Sequence, residues 1–174
     1  MSALPLSVAI PLLTAALLVA SGHALPRRAQ NGLAILAAAA MTVCVLIVLH
    51  ESAGATVVYW FGGWHADGGV ALGVAFTADP LGAGMAALAS VLVLLVLVYS
   101  WSYMDESHAF DVLVLTFGAA MVGFSLTGDI FNMFVWFELM GVSAYALAGF
   151  KIEELGPLQG AVNFAVTNTI GAYM

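Results

Sequence analysis

The stretch IFNMFVWFELMGVSAYALAGF, residues 130–150, decides the fold, because it is long enough to cross a bilayer and carries a single charge, Glu138. On a helix, Glu138 lies about 12 Å from Ile130, near the centre of a hydrocarbon layer about 30 Å thick. A carboxylate there costs about 2.5 to 3.5 kcal/mol on insertion scales, so it marks an ion or proton pathway more readily than a packing choice. Function is favoured over structure for this residue, since no compensating cation lies in its run.

The rest of the chain is equally apolar. Of 174 residues, 63% are hydrophobic and 7% charged, and the mean hydropathy is +1.07, against about 25% charged residues in ordinary soluble domains. Six apolar runs are each long enough to span: about 4–22, 32–49, 80–101, 110–127, 130–150 and 156–174. The sequence therefore predicts an all-α integral membrane protein with about six transmembrane helices, residues 1–174 forming one membrane domain in contact with the lipid bilayer. No positive charge precedes the first run, so it reads as a retained helix and not as a signal peptide.

Between the second and third runs, Thr56 to Phe61 and Val70 to Phe76 flank a turn-rich stretch containing Gly62, Gly63, Asp67, Gly68 and Gly69. A small extracytoplasmic β-hairpin is expected there, with Tyr59, Trp60 and Trp64 in the interfacial aromatic belt. Asp79 before Pro80 reads as a cap with proline at the first helical position. The basic residues Arg27, Arg28 and Lys151 fall in loops on one side. The loop-charge rule makes that side cytoplasmic and the N-terminus external. The loop holding Asp105, Glu106 and His108 is then internal.

Gly82, Ala86 and Ser90 in the third run, and Ala119 and Gly123 in the fourth, have the four-residue spacing that lets membrane helices approach closely. Packing is sufficient to explain them. On the fifth helix the Glu138 face also carries Phe131, Phe134, Val135, Gly141, Val142 and Tyr145, of which only Tyr145 is a local polar partner. The sixth run places Gly160, Asn163, Thr167, Gly171 and Met174 on one stripe, with Asn168 and Thr169 to the side. Tyr145, Asn163, Thr167 and Asn168 are candidate lining residues of a hydrated path. Interhelical hydrogen bonding explains the stripe as well.

Other chemistries are set aside. His23, His50, His65 and His108 lie at run ends or in loops, away from where membrane haem ligands sit. Cys44 is alone, so no thiolate cluster or disulfide is expected. There is no phosphate loop, dinucleotide fingerprint or nucleophile motif, and a pI of about 4.6 argues against nucleic acid. No cofactor, metal or catalytic centre is expected of this chain, and any redox group belongs to another subunit.

Thr127-Gly-Asp-Ile-Phe-Asn-Met-Phe-Val-Trp-Phe-Glu-Leu-Met140, Thr77-Ala-Asp-Pro-Leu81 and Asn163 to Gly171 together resemble the antiporter-like family. This family comprises the D-type subunit of Mrp-type Na⁺/H⁺ antiporters and chains M and N of respiratory complex I. The D-type subunit, or its equivalent in a membrane-bound hydrogenase, looks closest through Val166-Thr-Asn-Thr-Ile-Gly171. The resemblance implies a proton-conducting subunit of a multisubunit cation/H⁺ antiporter in the cell (inner) membrane, with other subunits as partners and protons and Na⁺ as cargo. A proton-pumping subunit of an NADH-quinone oxidoreductase or membrane-bound hydrogenase is the alternative. It further implies about fourteen helices in two inverted repeats, with a glutamate on the fifth helix, matched by Glu138, paired to a lysine on a broken seventh helix. The sequence stops at Met174 before any such lysine, and so reads as an N-terminal fragment or a truncated product. An inactive or structural fragment, with Glu138 protonated against its neighbours, is the remaining alternative.

Overall fold

The computed structural model describes residues 3–65, 73–101 and 108–174. Within them the chain forms α1 (Ala3–Ser21), α2 (Arg27–Ser52), β1 (Val57–Trp60), β2 (Ala75–Ala78), α3 (Pro80–Ser100), α4 (His108–Ser125), α5 (Ile130–Ala148) and α6 (Leu155–Tyr173). The six helices fall on the six apolar runs of a multi-pass membrane protein. Four of them, α1, α2, α3 and α5, are long and apolar enough to cross a bilayer. The apolar part of α4 is shorter, Ala109–Ser125.

Helices α1 to α4 close into a ring in which α1 packs on α2, α2 on α3, α3 on α4 and α4 back on α1. Their shared core is built from small and branched side chains: Leu4 and Val8, Ala34, Ala38 and Met41, Ala83 and Ala86, Leu115 and Ala119. Small residues let the backbones meet. A β-carbon added at Gly118 would lie 2.8 Å from a Val93 methyl, and one at Gly82 would lie 2.6 Å from the Ser125 carbonyl oxygen. Without a hydrophobic drive between helices in lipid, such close approach gives the dispersion contacts that hold the ring. Helix α5 packs on the outside of α4, and α6 on α5.

Helix α2 begins at Arg27, five residues before the apolar run that announced it, directly after Pro26, whose backbone is extended. Its first turns are polar, yet Gln30 and Asn31 are buried. The Gln30 amide donates to the carbonyls of Gly22 and Leu25 at 2.8 and 3.1 Å, closing the turn between α1 and α2. Arg27 reaches α4, where Nη1 lies 3.6 Å from Oδ2 of Asp111. Lys151 pairs with Glu154 at 3.5 Å at the surface.

The hairpin forms, with its second strand placed later than the β-branched run suggested. β1 and β2 pair antiparallel, Val57 with Ala78 through Trp60 with Ala75, so the described strand is Ala75–Ala78, starting after Gly73 and Val74 and ending two residues beyond Phe76. The stretch 66–72, which includes Asp67, Gly68, Gly69 and Val70, lies outside the described residues, as does 102–107 with Asp105 and Glu106. The shift has a hydrogen-bonding reason. β2 is paired on both edges: Thr77 N–H donates to the Leu126 carbonyl at 2.7 Å, Gly128 N–H donates to that of Ala75 at 2.9 Å, and Phe76 bridges Thr127. Satisfying both edges buries Ala75, Phe76 and Ala78. Gly128 also touches Thr77 so closely that a side chain at 128 would strike its hydroxyl. At the other end of β1, Gly62 and Gly63 turn the chain with φ of 68° and 74°, the left-handed region that glycine occupies without penalty.

Candidate functional site

Helix α5 is started by Asp129, whose Oδ1 accepts from Asn132 N–H at 2.6 Å while Oδ2 accepts from Ala75 N–H at 3.4 Å. Asp79 caps α3 in the same way, its Oδ1 accepting from Gly82 N–H at 2.6 Å. Both caps sit at the hairpin, so the sheet fixes where α3 and α5 begin. Nine residues past its cap, about 13 Å along the helix, α5 presents Glu138.

Glu138 is half-buried, and its Oε1 is enclosed without a hydrogen-bond partner. No ion pair reaches it among the described residues. The hydroxyls of the helix ring behave differently. Ser7, Thr42, Ser90, Ser100 and Thr116 each donate to a carbonyl one turn back in their own helix. Polar atoms on α5 do not all close locally, since Asn132 Nδ2 and Trp136 Nε1 are also enclosed without partners. An unpartnered buried polar atom costs about 1 to 3 kcal/mol; α5 carries three, and Asn31 Oδ1 at the start of α2 is enclosed in the same way.

The Glu138 face is the open one. Phe131, Phe134, Val135 and Val142, which share it, are all exposed, because α5 turns its opposite side to α4. Helix α6 covers part of the gap through two notches. A β-carbon at Gly141 would lie 2.5 Å from the Asn168 amide nitrogen, and one at Gly149 would lie 2.7 Å from Ala161 Cβ. Continuing that antiparallel register by three residues brings Gly171 level with Glu138, where an added β-carbon would meet nothing within 4 Å. Beside the Asn168 notch is a cavity of about 200 Å³ bounded by Phe117, Phe137, Met140, Gly141, Ala144, Phe164 and Asn168.

Of the residues singled out in the sequence, the structure seats Asn168 against α5 and sets the Tyr145 ring edge-on to Phe164, 6.4 Å between centroids. Asn163 and Thr167 are exposed, and the Thr167 hydroxyl donates to the Asn163 and Phe164 carbonyls at 2.8 and 3.1 Å. Two residues that sequence reasoning passed over stand out: Asp111, 4% exposed within an apolar run, and Trp136. The signal for Asp111 was its place at the same end of the bundle as Arg27. Among the described residues no group of His, Cys, Asp and Glu side chains is arranged to hold a metal.

Residues 64–111 match the family described as NADH-ubiquinone oxidoreductase (complex I), chain 5 N-terminus. NAD(P)H-quinone oxidoreductase subunit 5 of Paulinella chromatophora is 33% identical over 113 residues, 63% of this chain and 17% of that protein. NADH-quinone oxidoreductase subunit N of Desulforudis audaxviator is 32% identical over 123 residues, 68% of this chain and 23% of that protein. A chain in the structure of the Mrp complex from Dietzia sp. DQ12-45-1b superposes over 84% of this chain and 27% of its own length, with a TM-score of 0.73 and 31% identity. The chain is a relative of the antiporter-like membrane subunits. A chain of the archaeal membrane-bound sulfane sulfur reductase shares the antiporter-like fold over 99% of this chain and 35% of its own length, with a TM-score of 0.89 at 19% identity. This chain thus spans under a quarter of the length of the curated antiporter-like relatives quoted, 17% and 23%.

Proposed function

We propose that the chain is a proton-conducting part of a multisubunit cation/H⁺ antiporter, and that Glu138 on α5 is its intramembrane proton relay. The observation that carries this reading is the Glu138 carboxyl, at mid-span, with Oε1 enclosed and unbonded on the one face of α5 that the helix ring leaves open. An intramembrane carboxyl on an open face can hand a proton to, or take one from, whatever reaches that face. Gly171, level with it, leaves room for water or a further side chain. Tyr145 and Asn168, with Asn163 and Thr167 one stripe away, supply the polar atoms of a hydrated path. The resemblance to an Mrp complex over most of the chain supports antiport, with Na⁺ as the exchanged cation. The fold and the loop charges fit a multi-pass subunit of the cell (inner) membrane with its N-terminus outside, assembled with other subunits.

A second reading draws on the names of the curated relatives, which are quinone oxidoreductase subunits. There the same relay would be driven by electron transfer in a neighbouring subunit. Everted vesicles separate the two. Dissipation of a preformed pH gradient on adding Na⁺ supports antiport, whereas acidification that requires an electron donor supports redox pumping. Glu138→Gln should abolish whichever signal is present, and Glu138→Asp should keep part of it.

A further inference from the structure

Trp136 is held by contacts that do not involve the carboxyl two residues away. A β-carbon at Gly123 on α4 would lie 2.5 Å from Cδ2 and 2.6 Å from Cε2 of its indole, so the ring rests directly on the α4 backbone. On its outer flank is Phe76 of β2, buried and 6.1 Å away between ring centroids. Phe61 meets Phe76 edge-on at 5.1 Å, and Tyr59 meets Phe61 at 5.2 Å. Aromatic contacts therefore run unbroken from the outer hairpin to the middle turns of α5. A flat ring wedged between a helix and a strand resists rotation in a way that a flexible aliphatic chain does not.

A helix turns about 100° per residue, so Glu138 projects about 200° away from Trp136. Fixing the indole on α4 aims the carboxyl at the opposite side, the face where Phe131 and Val142 are exposed. We propose that Trp136 is a positioning residue for Glu138: the Gly123 notch and the Phe76 ring fix the rotation of α5 about its axis and so hold the carboxyl away from the helix ring. The outer hairpin acquires a mechanical task from this, because β2 supplies both Phe76 and the amide that meets the Asp129 cap. The proposal rests on Glu138 being the relay, and its test keeps the two apart.

In the full protein within its membrane assembly, two quantities are read: the rate at which dicyclohexylcarbodiimide forms an adduct at Glu138, by mass spectrometry, and proton movement as a function of pH. Trp136→Leu should change the adduct rate on the order of tenfold and lower transport by a similar factor, as small misplacements of a reacting group do. Gly123→Ala, acting from α4, should do the same. Trp136→Phe should stay near wild type, and Gly123→Ala with Trp136→Phe should recover part of the loss because the smaller ring yields. Unchanged adduct rate and pH profile in assembled Trp136→Leu and Gly123→Ala would overturn the proposal. Failure of both to accumulate, with Trp136→Phe normal in every respect, would also overturn it by assigning the site to packing alone. Wild-type transport in Glu138→Gln would remove the relay and leave the adduct rate to report on the aim of the side chain.

Discussion

The helix ring and the α5–α6 pair are both built from long apolar runs, those of α1 to α3 being the more apolar, and they are packed differently. In the most apolar windows of α1, α2 and α3, 33%, 39% and 33% of residues are buried, against 17% in α5. In the ring, buried hydroxyls bond to their own helix and the buried carboxylate, Asp111, has Arg27 beside it. On α5, Asn132, Trp136 and Glu138 each keep an enclosed polar atom unbonded, as Asn31 does at the start of α2. Depth in an apolar run does not by itself distinguish a structural charge from a working one. The observed difference is that Asp111 has a cation from a neighbouring helix, whereas Glu138 has no ion pair among the described residues.

The largest effect expected from breaking this contrast is in the ring. Asp111→Ala leaves Arg27 without its carboxylate in a mostly buried site, which should cost about 3 to 5 kcal/mol and sharply reduce accumulation in the membrane. Arg28→Ala, one residue on and exposed, should change stability by no more than about 0.5 kcal/mol. Quantitative immunoblotting of membranes, with thermal unfolding in detergent, measures both. Equal losses in the two variants would mean that Arg27 acts only as a surface charge.

A smaller effect separates the two sides of α6. Gly149→Ala drives a methyl toward Ala161 and should weaken docking of α6 on α5. Gly160→Ala, with nothing within 4 Å of the added carbon, should be neutral or stabilise by up to about 1 kcal/mol through backbone entropy alone. Protease sensitivity of the link between α5 and α6 checks the pair. Equal sensitivity would show that the Gly149 notch does not hold α6.

Much of this was legible in the sequence, for identifiable reasons. Apolar runs long enough to span fix where helices form, and the cost of a mid-span carboxylate picked out Glu138. The start of α2 was not legible, because Arg27 to Asn31 look like a loop until Asp111 on α4 and the Gly22 and Leu25 carbonyls accept their side chains. The end of the second strand was not legible because residue propensity stopped at Phe76, whereas pairing with Leu126 and Gly128 from fifty residues away carries it to Ala78. Trp136 drew no reading of its own from the sequence. Its role depends on a glycine in another helix, and no pattern within α5 encodes that.

The least disruptive check concerns the sides of the bundle. The 53–56 stretch before β1 and the 151–154 stretch before α6 are both exposed, and the reading puts them on opposite faces of the membrane. In a Cys44→Ala background, Ala55→Cys should react with an impermeant thiol reagent added to intact cells, and Glu153→Cys should react only after lysis. Gln30, buried and bonded, is a poor reporter for the same purpose. Labelling of both positions from outside would reverse the assigned orientation or reduce the number of crossings.

Of the two carboxylates, buried Asp111 is proposed to maintain the structure and half-buried Glu138 to carry protons. Proton movement per assembled complex should therefore be measured in everted vesicles for Glu138→Gln and Asp111→Asn side by side, with assembly quantified by co-purification. The expected result is normal assembly without transport in Glu138→Gln, and reduced assembly with near-normal transport per complex in Asp111→Asn. Wild-type transport in assembled Glu138→Gln would contradict the account.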